Sequence, residues 1–129
     1  MTFKRRIGQP TKAQQARQDQ CRRWGCIACH IEGLIQFNDE GDAYSPAGTS
    51  TINHLTVCGF TQSQDATVNT CTWHHLGHCQ PGETTSSMTA KYGPSLAKGS
   101  VPFYERYGRT DSQLSFQNEL IAGATKVCA

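Results

Sequence analysis

Cys26-Ile27-Ala28-Cys29 and, after a long spacer, Cys71-Thr72-Trp73-His74-His75 decide how this chain folds. Two thiols at C-x-x-C spacing make a knuckle that holds half of a tetrahedral metal site. Cys71 and His74, again two residues apart, supply the other half. Zinc accepts such a Cys₃His set at about 2.3 Å to sulfur and about 2.0 Å to nitrogen. The spacing therefore predicts a structural zinc (Zn²⁺) on Cys26, Cys29, Cys71 and His74. His75 follows the last ligand directly and stands beside a rigid centre without being part of it. Asn53-His54 falls between the two halves.

The chain has 129 residues, of which 36% are apolar. That is one domain with a thin core, the kind that needs a staple. Seven cysteines, an odd number, argue against a fully paired disulfide framework. The expected organisation is a basic flexible arm over residues 1–10, ending at Pro10, and one domain over 11–129. Met-Thr-Phe-Lys-Arg-Arg leads into no apolar run. No stretch approaches the roughly 20 apolar residues of a membrane span. The expected setting is a reducing cytoplasm with no membrane partner, where C-x-x-C reads as metal or redox chemistry. A thioredoxin-like pair is disfavoured because no βαβ pattern surrounds Cys26.

The net charge of +2 hides an asymmetry. Lys4, Arg5, Arg6, Lys12, Arg17, Arg22 and Arg23 crowd the first 25 residues against Asp19 alone, while the remainder is mildly acidic. A basic segment on an acidic body points to phosphate binding, with DNA as the partner and these seven residues as its contacts.

Local signals place the motifs. Thr11-Lys12-Ala13-Gln14 opens a capping box, which predicts a helix over about 12–24 that stops at Gly25. Residues 31–48 read as irregular. Thr49 to Val57 reads as a strand, with Ile52, His54 and Thr56 on one face and Asn53, Leu55 and Val57 on the other. A polar loop returns to Val68, and a short helix runs from Cys71 to about Gly77. Beyond it, Ser87 caps a short helix ending near Gly93, and Ser100 caps another that Gly108 stops. Thr110-Asp111-Ser112-Gln113 is a second capping box. Leu114, Phe116, Leu120 and Ile121 give the last helix its apolar face.

Phosphodiester hydrolysis needs a water deprotonated in line with the leaving oxygen. A neutral imidazole does this near pH 7, which makes His54 the candidate general base. A second group must absorb charge on the phosphate, and a divalent cation such as Mg²⁺ does so. His75 and Asn53 are its candidate ligands. Asn69, two residues before Cys71, is the candidate for orienting the loop under His54. The order knuckle, X-His, C-x-x-(C/H)-His is the layout of an HNH nuclease. His30 reads as an outer or exposed neighbour of the knuckle. His78 and Cys79, with Cys58, could form a second metal site; otherwise Cys21, Cys58 and Cys128 are small apolar fillers. Trp73 reads as packing over the zinc.

Beyond the metal motif, GCIAC at 25–29, INHL at 52–55, CTWHH at 71–75, MTAKYGPSLAKGS at 88–100 and PFYERYG at 102–108 follow in order. On these motifs, over roughly residues 20–122, the chain resembles the phage recombination-enhancement (Ref-type) nucleases, HNH proteins that cut DNA in dependence on the RecA recombinase. The resemblance implies a phage or prophage source, action in the bacterial cytoplasm, and a RecA-type filament on single-stranded DNA as a partner of the basic segment.

The fold class that follows is α+β: a small zinc-stapled, treble-clef-like domain with a ββα-metal active site and extra short helices. The function that follows is a metal-dependent DNA endonuclease. The rival from another class is a zinc-stabilised DNA- or recombinase-binding module without efficient cleavage. Asn53, a weaker ligand than a carboxylate or imidazole, favours it, as does Asn69, which stands closer to the knuckle than the usual spacing.

Overall fold

The computed structural model describes residues 8–57, 60–61 and 64–123. Lys4, Arg5, Arg6, Cys58 and Cys128 lie outside these residues. The chain builds α1 (Lys12–Trp24), α2 (Ile27–Glu32), β1 (Gln36–Phe37), β2 (Ala43–Tyr44), β3 (Ser50–His54), β4 (Thr56–Val57), β5 (Phe60–Thr61) and β6 (Thr67–Cys71). It continues with α3 (Thr72–Leu76), α4 (Thr85–Tyr92), a 3₁₀ turn over Leu96–Lys98, α5 (Ser100–Tyr107) and α6 (Thr110–Ala122). It is a small α+β fold.

α1 starts at the predicted capping box: Thr11 accepts from the Gln14 amide, and the Gln14 side chain accepts from the Thr11 amide. It ends at Gly25, whose φ of 82° lies where a side chain is strained. α2 and α3 are built alike. A cysteine caps each N-terminus through its sulfur, Cys26 from the Cys29 amide and Cys71 from the His74 amide. A left-handed glycine, Gly33 or Gly77, closes each. Both metal-ligand pairs thus sit on the first turn of a short helix.

β3 and β6 pair antiparallel, from Ser50 with Cys71 to His54 with Thr67. β6 is buried at all five positions and runs directly into α3. The hairpin and α3 therefore hold His54, Cys71, His74 and His75 in one continuous unit. The strand expected over 49–57 is split after Leu55: its amide bonds the Ala66 carbonyl in register with β6, and Thr56–Val57 then pair with Phe60–Thr61 instead. The irregular stretch 31–48 contains the two-residue ribbon β1–β2. Asn69 stands on β6 opposite Ile52 rather than in a loop.

Two apolar clusters fill the interior. One gathers the metal-site cysteines with Trp73, Met88, Phe103 and Tyr107; the other joins Ile27, Leu55 and Val68 to Leu114, Phe116 and Leu120. The C-terminal half departs from the sequence reading at its caps. Thr84, not Ser87, is the N-cap of α4, with Ser87 as its reciprocal partner. Gly99 precedes α5, and Arg109 precedes α6 without a side-chain cap, so the cap expected at Ser100 and the box expected at Thr110 do not form. α6 also buries Gln113 and Gln117 rather than only an apolar stripe. Gln117 Oε1 accepts the Asn69 amide at 2.8 Å, satisfying a donor of β6 that an apolar side chain would leave unmet. Among the described residues no helix is long and apolar enough to cross a membrane.

Candidate functional site

Cys26, Cys29, Cys71 and His74 converge, all four buried, with their ligand atoms within 4.8 Å of one another. Cys29 Sγ and Cys71 Sγ are 3.8 Å apart. His74 Nδ1 lies 3.5 Å from Cys26 Sγ, 3.4 Å from Cys29 Sγ and 3.2 Å from Cys71 Sγ. A tetrahedron with zinc-like bond lengths has edges of about 3.8 Å between sulfurs and about 3.6 Å between sulfur and nitrogen. The observed edges match, so the set can hold a metal ion of that kind. Without a cation, three buried thiols compete for one negative charge. Burial pushes Cys26 far up, while hydrogen bonds from the Cys26 and Cys29 thiols hold Cys71 far down.

Groups around the set fix its orientation. His74 Nε2–H donates to the Tyr92 carbonyl at 2.8 Å, which leaves Nδ1 as the nitrogen with a lone pair among the sulfurs. Tyr107 Oη lies 3.3 Å from the same Nε2 and donates to Glu32 at 2.6 Å. Arg106 forks onto that carboxylate, with Nη2 at 2.6 Å from Oε1. Ser45 Oγ donates to Cys29 Sγ at 3.0 Å. Trp73 is fully buried and donates its indole N–H to the Gly93 carbonyl at 3.0 Å. A Cβ on Gly93, where φ is 91°, would collide with Tyr107 Oη and Glu32. The 88–100 and 102–108 segments, which carry no evident chemistry in the sequence, thus form the outer wall of the metal set. Sequence reasoning missed Glu32, Ser45 and Tyr107; an acid three residues after Cys29 carries no signal until α5 folds against it.

His54, on β3, and His75, on α3, belong to the same hairpin–helix unit as the metal set. Gln64 Nε2 donates to the Gly8 carbonyl at 2.8 Å, which fixes the amide so that its Oε1 faces His54 Nε2 at 3.0 Å. An amide oxygen only accepts, so His54 carries its proton on Nε2 and its lone pair on Nδ1. The same Gln64 oxygen takes a bond from Gln18 on α1. His75 is set the same way. Thr51 Oγ1 donates to the Thr70 carbonyl, so at 2.8 Å it accepts from His75 Nδ1–H and leaves the lone pair on Nε2. Burial holds His75 below the usual imidazole range, and the charge of nearby His54 adds to that.

Asn53 and His54 line a cleft of ≈ 140 Å³ with Leu96, Tyr104, Thr110 and Gln113. Asn69 is fully buried, and neither atom of its side-chain amide has a partner among the described residues. Its cross-strand partner Ile52 shares the His54 side of the hairpin. His30 bonds the Trp24 carbonyl and packs among Trp24, Phe37 and Phe116, away from the metal set. His78 and Cys79 are exposed, and among the described residues only the Cys₃His set gathers as a metal site. Cys21 is a buried filler beside Arg17.

The basic residues divide. Arg17 is tied to Thr67 and Asn118, docking α1 on β6 and α6. Lys12, Arg22 and Arg23 are exposed, the latter two paired at the surface with Asp19 and Asp42. No curated protein and no solved structure matches the chain significantly. The family model of recombination-enhancement, RecA-dependent nucleases matches residues 10–122. That span runs from the residue before the first cap to the end of α6, and the chain belongs to this family of RecA-dependent nucleases.

Proposed function

We propose that this chain is a metal-dependent DNA endonuclease of the HNH class, acting in recombination with a RecA-type filament. The observation that carries the reading is the pair of histidines beside the staple. Each is held through one nitrogen by a neutral partner, His54 by Gln64 and His75 by Thr51, with the opposite nitrogen left basic. That is the arrangement a general base and a metal ligand both require.

In this reading zinc on Cys26, Cys29, Cys71 and His74 is structural and fixes the start of α3. His54 Nδ1 takes a proton from the attacking water, and Gln64 keeps the ring in the tautomer that can do so. Asn69 supports the His54 side of the hairpin from β6. His75 Nε2 and Asn53 hold a divalent cation, Mg²⁺ or a relative. When bound, that cation supplies charge stabilisation to the phosphate and the departing 3′-oxygen. Lys12, Arg22 and Arg23, with Lys4, Arg5 and Arg6, bind the DNA backbone. Arg17 serves the same surface by positioning α1. Asn53 favours a second reading, a binding module with weak or no cleavage, because both proposed cation ligands are neutral.

The test is incubation with naked single-stranded DNA and with RecA-coated DNA, with and without Mg²⁺. Cleavage that needs both Mg²⁺ and RecA supports the reading. Binding to both substrates without cleavage of either, under any divalent metal, supports the module instead.

A further inference from the structure

The cleft beside His54 has a second wall. Tyr104, Thr110 and Gln113 face Asn53 and His54 across it. Three observations on that wall point to a ligand that is both anionic and a hydrogen-bond donor. First, α6, 13 residues long, begins there, and its N-cap Arg109 provides no side-chain cap. The amides of Asp111 and Ser112 therefore have no acceptor within the helix, and the helix dipole puts about half a positive charge at that end. Second, the Arg109 guanidinium sits 5.9 Å from the ring centroid of Tyr104, which lines the cleft. Among the described residues no carboxylate forms an ion pair with it. Third, Gln113 lines the cleft at 1% exposure. Its Nε2 donates to the Gly108 carbonyl at 2.8 Å, which fixes its Oε1 as an acceptor, and that oxygen has no partner among the described residues.

A nucleic-acid strand offers both features, phosphates for the helix end and base or water N–H and O–H groups for the amide oxygen. We propose that the Arg109–Gln113 turn of α6 is a backbone subsite for the DNA strand that His54 acts on, seating a phosphate next to the scissile one. This rests on the nuclease reading for the role of His54, though not for the binding itself. One group in the turn opposes it: Asp111 is exposed and absent from the cleft lining. The subsite therefore predicts opposite effects from neighbouring substitutions.

The experiment measures binding of a fluorescein-labelled single-stranded oligonucleotide to the full chain by anisotropy, without Mg²⁺, across a salt series. Arg109→Ala should weaken binding and lower the slope of log K against log salt by about 0.7, one phosphate contact on a single strand. Arg109→Lys should keep the slope, and Asp111→Asn should tighten binding. Melting temperature and zinc content must match those of the unmodified chain in all three. An unchanged affinity and slope in folded Arg109→Ala protein would overturn the subsite. Cleavage assays on the same proteins separate the two ideas. If the unmodified chain cuts DNA while Arg109→Ala binds normally, only the subsite fails. If nothing cuts while the slope falls as stated, the nuclease reading fails and the subsite stands as a DNA contact.

Discussion

Tyr107 Oη stands 3.3 Å from His74 Nε2 and 2.6 Å from the Glu32 carboxylate, so one hydroxyl on α5, a helix that contributes no ligand, joins His74 of α3 to the end of α2. Ring contact reinforces the link, with the His74 and Tyr107 rings edge to face at 5.4 Å. Tyr107→Phe keeps the ring and removes the hydroxyl. Loss of that buried bond should cost about 1–2 kcal/mol in a denaturant melt. Zinc transfer to a chelator should speed up, by about tenfold or more on the scale of other outer-shell partners of metal ligands. Unchanged transfer kinetics would show that Tyr107 only packs.

Glu32 gives that network a pH signature. The hydrogen bond from Arg106 holds its carboxyl below the ordinary 4.5, and Tyr107 adds to the effect. A depressed carboxyl contributes stability that is fully present above its unfolded pKa and is lost as pH falls through the lower folded value. Glu32→Gln lacks this contribution. The stability gap between the two proteins should be constant above about pH 4.5 and narrow below it. A gap that is flat or widening down to pH 3, followed by urea midpoints, would remove Glu32 from the account.

The metal set should hold the fold. Structural zinc supplies on the order of 10 kcal/mol of apparent folding free energy in small domains. Here the set lies inside the larger apolar cluster, among Trp73, Met88 and Phe103. Cys29→Ser should lower the melting temperature sharply, and complete chelation should abolish the cooperative melt. A native-like melt after full metal removal is the contrary outcome.

His75 and Asn53 test the cation. His75→Ala should abolish cleavage while leaving zinc content intact, and excess Mn²⁺ should restore part of the rate, since a missing ligand weakens affinity rather than chemistry. Asn53→Asp adds a carboxylate to the cleft wall, so half-maximal activity should come at lower Mg²⁺. If neither variant shifts the metal dependence, these residues do not bind the cation.

How far the sequence revealed all this depends on the kind of signal. α1 was legible to the residue, because a Thr11–Gln14 capping box and Gly25 are local chemistry. The two knuckles were legible because metal spacing is local too. His54 on a hairpin strand followed from alternation, though the strand divides after Leu55, where Thr56 and Val57 pair with β5 instead of β6. Asn69 could not be placed, since its neighbours look like a polar loop and only pairing with Ile52 makes them a strand. The caps at Ser100 and Thr110 misled because Gly99 and Arg109 take the N-cap positions. The outer wall of the metal set was invisible. Glu32, Tyr107 and Gly93 acquire meaning only when α5 closes on α2, and no periodic pattern encodes that contact.

The most direct measurement of the central claim is the cleavage rate of His54→Ala protein on RecA-coated single-stranded DNA with Mg²⁺. The melt, zinc content and DNA affinity should match the unmodified chain, because His54 is not one of the four metal-set residues and belongs to neither apolar cluster. The rate should fall about 10²-fold or more, the scale for removing a general base. Folded His54→Ala protein that cuts at the unmodified rate would contradict the assignment of this cleft as the nuclease site.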